Sequence, residues 1–287
     1  MSAGLAALLT LPLWRMWCRR TGLLVPLLGA VAALKLNLLG VEATDKLGHG
    51  FERRFGQLAA LIGGAMGMTL LGWLDDRHEL RPALKFAGQL LIATLVAAAG
   101  IRITLFVPSP LFSYAATILW ILTVTNAFNF MDNMNGLCAG LGGIASLLIG
   151  LTAARHGHYL VAAIAFLVLG ATLGFLPFNF PRASAFLGDA GSHLIGFLMS
   201  VLAVLPHFYS AKHPHTLAVL SPLLILALPL ADLVWVVVLR WRMGQPFYIG
   251  DTNHFSHQLV RLGLSQAQAV LLIWALAAAV GSLVFLL

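Results

Sequence analysis

Residues 70–89 read LLGWLDDRHELRPALKFAGQ, and this stretch decides what kind of chain it belongs to. An apolar run ends in the adjacent carboxylates Asp75 and Asp76. Arg77, Arg81 and Lys85 follow, and the next apolar run starts at once. The same alternation holds outward in both directions, with long apolar runs joined by short polar segments. Of the 287 residues, 60% are hydrophobic and 9% charged, and the mean hydropathy is +0.92. A soluble domain carries about 25% charged residues, and a helical span takes roughly 20 apolar ones. The expected fold is therefore all-α: a polytopic membrane protein, one domain over residues 1–287, with no room for an ordinary soluble domain.

Ten spans are expected, over residues 3–14, 23–41, 55–74, 83–99, 114–128, 137–153, 160–178, 192–205, 217–239 and 267–287. The N-terminus lacks the pattern of a cleaved signal and reads as a first span. Cys18 and Cys138 are isolated, which supports neither a disulfide framework nor a cysteine metal site. Lys and Arg are concentrated in one set of connections: Arg15, Arg19, Arg20, Arg77, Arg81, Lys85, Arg182, Arg240, Arg242 and Arg261. By the positive-inside rule that face is cytoplasmic. The net charge of +7 then marks topology and anionic lipid headgroups rather than nucleic acid. Of only ten acids, Asp75, Asp76, Glu79, Asp132, Asp189 and Asp251 fall on the same face. Chemistry is expected there.

Four segments carry groups suited to it. Adjacent Asp75 and Asp76 repel unless a metal or cations neutralise them, and Mg²⁺ favours one or two carboxylates plus phosphate oxygens. The alternative is a solvated helix end whose acids pair with Arg77 and Arg81. Residues 126–137, NAFNFMDNMNGL, supply Asn126, Asn129, Asp132, Asn133 and Asn135. Amides both donate and accept, which suits a nucleobase or an amide-bearing sugar; a polar turn is the alternative. In residues 178–192, FNFPRASAFLGDAGS, Asp189 sits at the start of a span. It is placed to hold a metal while helix N–H groups face phosphate, or simply to cap the helix. The last segment holds His254 and His257, three apart on one helix face and suited to phosphate when protonated or to a metal when neutral. Asp232, inside the ninth span, needs a polar partner. His193, just inside the eighth span, could reach the site but is not expected to contribute to it.

Taken together, the Asp pair followed by LRPxxKFxxQ (80–89), NAxNFxDxxNGL (126–137), NFP…FxGDxGS (179–192) and D…R…G…P…DxxHxxH (232–257) resemble the polyprenyl-phosphate N-acetylhexosamine-1-phosphate transferases. The likeness runs from about residue 23 to residue 262. It implies transfer of a sugar 1-phosphate, with GlcNAc favoured, from a UDP-N-acetylhexosamine to undecaprenyl or another polyprenyl phosphate, with release of UMP. It also implies Mg²⁺ (or Mn²⁺) at Asp189, Asp75 as the base for the lipid phosphate, Asp76 beside it, and Asp132 and Asn129 near nucleotide and metal. Lys85, Arg81, Asn135, Asn179, His254 and His257 would bind substrate. The setting would be the bacterial cytoplasmic (inner) membrane, with membrane lipids as surroundings and a homodimer compatible with Gly-lined spans. The chain departs from the family pattern in lacking an arginine in VPLLGAVA (25–32) and in carrying Asn135 where many members have a second Asp. Its closing motif is His254-Phe255-Ser256-His257. The competing readings are a transporter with Lys35 and Asp232 on its path, or a family member that binds without turnover.

Overall fold

A computed structural model describes residues 54–104, 107–206, 219–246 and 252–287. The expected spans 3–14 and 23–41, Lys35, Asp251 and the loop cations before Arg54 lie outside them. The described residues form α1 (Phe55–His78), α2 (Pro82–Ala98), α3 (Pro110–Met131), α4 (Leu137–Arg155), α5 (Tyr159–Asn179), α6 (Gly188–Val204), α7 (Ser221–Ile225), α8 (Ala227–Arg242), α9 (Phe255–Arg261) and α10 (Gln266–Ser282). A 3₁₀ turn, Leu283–Leu286, closes the chain, and no strand occurs among these residues. Five segments are long and apolar enough to cross a bilayer: α1, α3, α4, α5 and α10 with its closing turn. The chain is a helical membrane protein with five candidate spans among its described residues.

α2 and α6 fall where spans are expected, as apolar helices of 17 residues, shorter than the five candidates. One expected span comes out differently. The ninth expected span breaks at Leu226 into α7 and α8. Pro229 explains the break: it has no N–H to offer the carbonyl of Ile225, and its ring crowds that turn. α1 runs one turn past its apolar stretch, so Asp75 and Asp76 sit on the helix. It ends where Glu79 turns left-handed at φ 47°, and Pro82 then opens α2 at its first turn, where a missing N–H costs nothing.

α6 is the centre of the bundle. Every residue from Ser192 to Ala203 is buried, the polar Ser192, His193 and Ser200 among them, and the helix packs against α1, α3 and α4. Two glycines permit this. A Cβ on Gly196 would run into the backbone of Thr125 on α3, and one on Gly72 would overlap the backbone of Asp189 and Ala190. α1 and α3 thus approach α6 at backbone contact. The outer face of α1 shows Ile62, Met66, Leu70 and Trp73 exposed. Their spacing of three and four puts them on one apolar stripe. Because the helices alternate in direction, the C-terminal ends of α1 and α3 and the N-terminal ends of α2 and α6 meet at one end of the bundle.

Candidate active site

At that end four segments distant in sequence converge. The Lys85 ammonium lies 2.8 Å from Asp75 Oδ2 and 2.5 Å from Asp189 Oδ2. Asp75 Oδ1 accepts from the Leu80 N–H at 2.8 Å, so the turn after α1 grips the carboxylate from the other side. Asn129 Nδ2 donates to Asp189 Oδ1 at 2.7 Å and to Ser192 Oγ at 3.0 Å. Asp189 is therefore held on one oxygen by α2 and on the other by α3.

Asp76 does something different from its neighbour. Its two oxygens accept the N–H groups of Asp189 (2.8 Å) and Ala190 (3.1 Å). It caps α6 from another helix, supplying what the N-cap residue Leu187 lacks, and it meets the positive end of the helix dipole. The expectation that these N–H groups face a phosphate is corrected: the Asp76 carboxylate takes them. The repulsion between the adjacent acids is resolved by pointing one at Lys85 and the other at a helix terminus. Arg77 pairs with neither, lying over the Trp73 ring at 5.4 Å. Arg81 is exposed, at the N-cap of α2.

Asp132, just past α3, is half-buried. Burial first, then the charges of Asp189 and Asp76, push its carboxyl up to about 7. The folded chain thus holds a proton there that the unfolded chain releases near 3.8. Without divalent cations, stability from this group is full below pH 3.8 and is lost as pH rises to about 7. Asp132→Asn should flatten that stretch of a melting-temperature-against-pH curve recorded in chelator, and added Mg²⁺ should do the same for the natural chain.

The remaining expected residues are distributed around this cluster. Asn179, 3% exposed, accepts from Gly136 N–H (2.7 Å) and donates to the Ala185 carbonyl (2.8 Å). Both ends of its amide are spent on backbone, tying the start of α4 to the loop before α6. Asn135 reaches only the Pro181 carbonyl, at 3.4 Å. His254 is buried, with Nδ1 2.6 Å from Asp232 Oδ2, and Asp232 Oδ1 also accepts from Phe255 N–H at 2.7 Å. The polar partner that Asp232 requires is thus His254. The His254 ring meets Phe130 edge-on at 5.7 Å, and His257 lies 6.3 Å from His254. Buried Arg240 covers Phe130 at 5.0 Å, and Ser256 Oγ donates to Asn133 Oδ1 at 2.7 Å. The histidine segment is therefore docked on the same end of α3 that carries Asn129 and Asp132. Sequence reasoning passed over Arg240, Ser192, Ser256 and His193.

Apart from Lys85 the donors are all hard oxygen: the Asp75, Asp132 and Asp189 carboxylates and the Asn129 amide, with Asp76 spent on the α6 terminus. Among the described residues no three acids or histidines form a ready-made metal cage. That combination fits Mg²⁺, which is bound by one or two carboxylates and completed by phosphate oxygens. A cavity of about 490 Å³ lined by Arg54, Gly56, Gln57 and Ala99 lies at the opposite end of α1 and contains none of these groups.

A sequence model described as glycosyl transferase family 4 matches residues 58–207, which include Asp75, Asp76, Lys85, Asn129, Asp132 and Asp189. The chain belongs to glycosyl transferase family 4. It is 33% identical over 226 residues to a probable undecaprenyl-phosphate N-acetylglucosaminyl 1-phosphate transferase of Bacillus subtilis (strain 168), covering 76% of this chain and 62% of the relative. It is 35% identical over 283 residues to a decaprenyl-phosphate N-acetylglucosaminephosphotransferase of Mycobacterium tuberculosis (strain ATCC 25618 / H37Rv), covering 89% and 68%. An Escherichia coli (strain K12) undecaprenyl-phosphate alpha-N-acetylglucosaminyl 1-phosphate transferase is 30% identical over 237 residues, covering 75% and 62%. The matches thus span just over three-fifths to about two-thirds of the relatives' own length. The family 4 match ends before α8 and α9, so the Asp232–His254 pair is placed by the structure rather than by the family model.

Proposed function

We propose that this family 4 chain transfers N-acetylglucosamine 1-phosphate from a UDP-sugar to a polyprenyl phosphate, releasing UMP, at the cytoplasmic face of a bacterial inner membrane. The observation that carries the reading is the Asp75–Lys85–Asp189–Asn129 constellation, joined from four helix ends inside the family 4 region. The relatives' names supply the sugar and the class of lipid acceptor.

In the proposed reaction an oxygen of the lipid phosphate bonds to the β-phosphorus of the UDP-sugar. The bond from that phosphorus to the bridging oxygen breaks, and the bridging oxygen leaves with UMP. The obstacle is charge, because two anions must meet. Mg²⁺ or Mn²⁺, held by Asp189 and Asp132 together with the donor diphosphate, would offset that charge and polarise the β-phosphoryl group. Lys85 adds a fixed cation beside it, already pre-oriented by two carboxylates. Asp75, clamped by Lys85 and the Leu80 N–H, is placed to accept a proton from a monoanionic lipid phosphate and leave it the better nucleophile. His254, steered by Asp232, borders the same end of α3 from the far side and suits the donor's diphosphate. A site at helix ends lets the lipid phosphate enter from the bilayer while the nucleotide arrives from water.

Purified protein incubated with UDP-GlcNAc, undecaprenyl phosphate and Mg²⁺ should release UMP and form a lipid-linked GlcNAc diphosphate, with UDP-GalNAc as the competing donor. Absence of UMP with every donor would sink the reading. The transport reading loses its main residue, since Asp232 is committed to His254 and Phe255.

A further inference from the structure

Beneath the carboxylate cluster lies a second polar layer, built from the same three helices one turn further in. On α2, Gln89 follows Lys85 by four residues. On α3, Asn126 precedes Asn129 by three, and on α6 His193 follows Asp189 by four. Each interval keeps the pair on one helix face. The deeper trio is hydrogen-bonded end to end. Asn126 Nδ2 donates to Gln89 Oε1 at 2.7 Å and to the Leu122 carbonyl at 2.8 Å. Gln89 Nε2 lies 2.8 Å from His193 Nε2, and His193 Nδ1 lies 2.6 Å from the carbonyl oxygen of Asp189. Gln89 is 1% exposed and His193 fully buried.

The donor directions follow from the partners. A carbonyl oxygen only accepts, so His193 carries its proton on Nδ1. Its Nε2 then accepts from the Gln89 amide, whose own oxygen faces the Asn126 amide. The opposite tautomer would set donor against donor and acceptor against acceptor. The network has one self-consistent arrangement, and that arrangement ends on the backbone of Asp189.

We infer that Gln89, Asn126 and His193 are positioning residues that fix the rotation and depth of α6, and so hold the Asp189 carboxylate between Lys85 and Asn129. The inference rests on the transferase reading for what Asp189 does, but not for the network itself. Replacing both members of a buried hydrogen-bonded pair with apolar groups of similar shape is close to neutral for stability, so polarity here is not required for folding. It supplies direction: apolar packing tolerates small rotations of α6, whereas this network does not.

The test is the double substitution Gln89→Leu with His193→Leu, compared with His193→Asn, which keeps a donor for the Asp189 carbonyl. The double variant should remain folded with an unchanged KM for the UDP-sugar and lose about 10²-fold in kcat, the scale of a 1 Å misplacement. His193→Asn should recover most of that loss. Wild-type kcat in the double variant would overturn the inference. Should the double variant not fold, ring ¹⁵N resonances of His193 in the natural protein decide the matter, with His193→Asn supplying the assignment. A neutral ring protonated at Nδ1 is expected, and a proton on Nε2, or on both nitrogens, overturns the network. If the natural protein released no UMP with any donor, the transferase reading would fail, while the ring spectrum would still judge the network.

Discussion

Asp189→Asn is expected to lower Mg²⁺-dependent UMP release by about 10³-fold or more, the scale of removing a preorganised electrostatic partner of the reacting phosphates. The side chain keeps its volume, so folding should survive. Its two oxygens do different work in the natural chain, one facing Lys85 and the other accepting from Asn129. An amide satisfies only one of them. If its oxygen stays on Asn129, its NH₂ faces the Lys85 ammonium, donor against cation. If it flips, two amide NH₂ groups oppose each other. Either way a negative charge leaves the place where a divalent ion would be held. Asp75→Asn should also abolish release, because it strips Lys85 of its other anchor. UMP release by a folded Asp189→Asn variant within a few-fold of the natural rate would reject the site. Activity in detergent at saturating Mg²⁺, with folding checked by gel filtration, is the measurement.

The second large effect is expected from one methyl group. Gly72→Ala places a Cβ on top of the Asp189–Ala190 peptide, where backbone rather than a flexible side chain blocks it. Either α1 or the N-terminus of α6 must move. Both bear site groups: Asp75 and Asp76 lie one turn beyond Gly72, and Asp76 caps α6 through the same two residues. A shift near 1 Å there separates Asp189 from Lys85, and about 10²-fold in rate is expected to go with it. Gly63→Ala on the same helix meets nothing within 4 Å and should leave turnover unchanged while slightly favouring the helix. Equal behaviour of the two variants would show that the α1–α6 contact does not set the site. The comparison separates geometry from helix propensity, because both changes make the same substitution in the same helix.

The sequence by itself determined the class of the chain, the end of the bundle where polar and ionisable groups gather, and most of the groups that meet there. These are one-dimensional signals. Apolar runs must be long to cross a bilayer, and ionisable residues are too costly in lipid to scatter. Asp75, Lys85, Asn129 and Asp189 could therefore be picked from the punctuation between runs. The break at Leu226 has its cause in Pro229, inside a run that otherwise reads as one span.

What only the tertiary structure decided was the division of labour among similar groups. Nothing in the order Asp75-Asp76 says that the first carboxylate takes Lys85 and the second caps α6, since that depends on how α1 crosses α6 at Gly72. Asn179 and Asn129 look alike in sequence, yet one is spent on backbone and the other holds Asp189. His193 is not marked out by sequence because its partners, Gln89 and the Asp189 carbonyl, come from packing and backbone, neither of which has a sequence signature. The stretch at 70–89 names the ingredients, and the close approach of α1 and α3 to α6, with Lys85 and Gln89 reaching it from α2, assigns each its task.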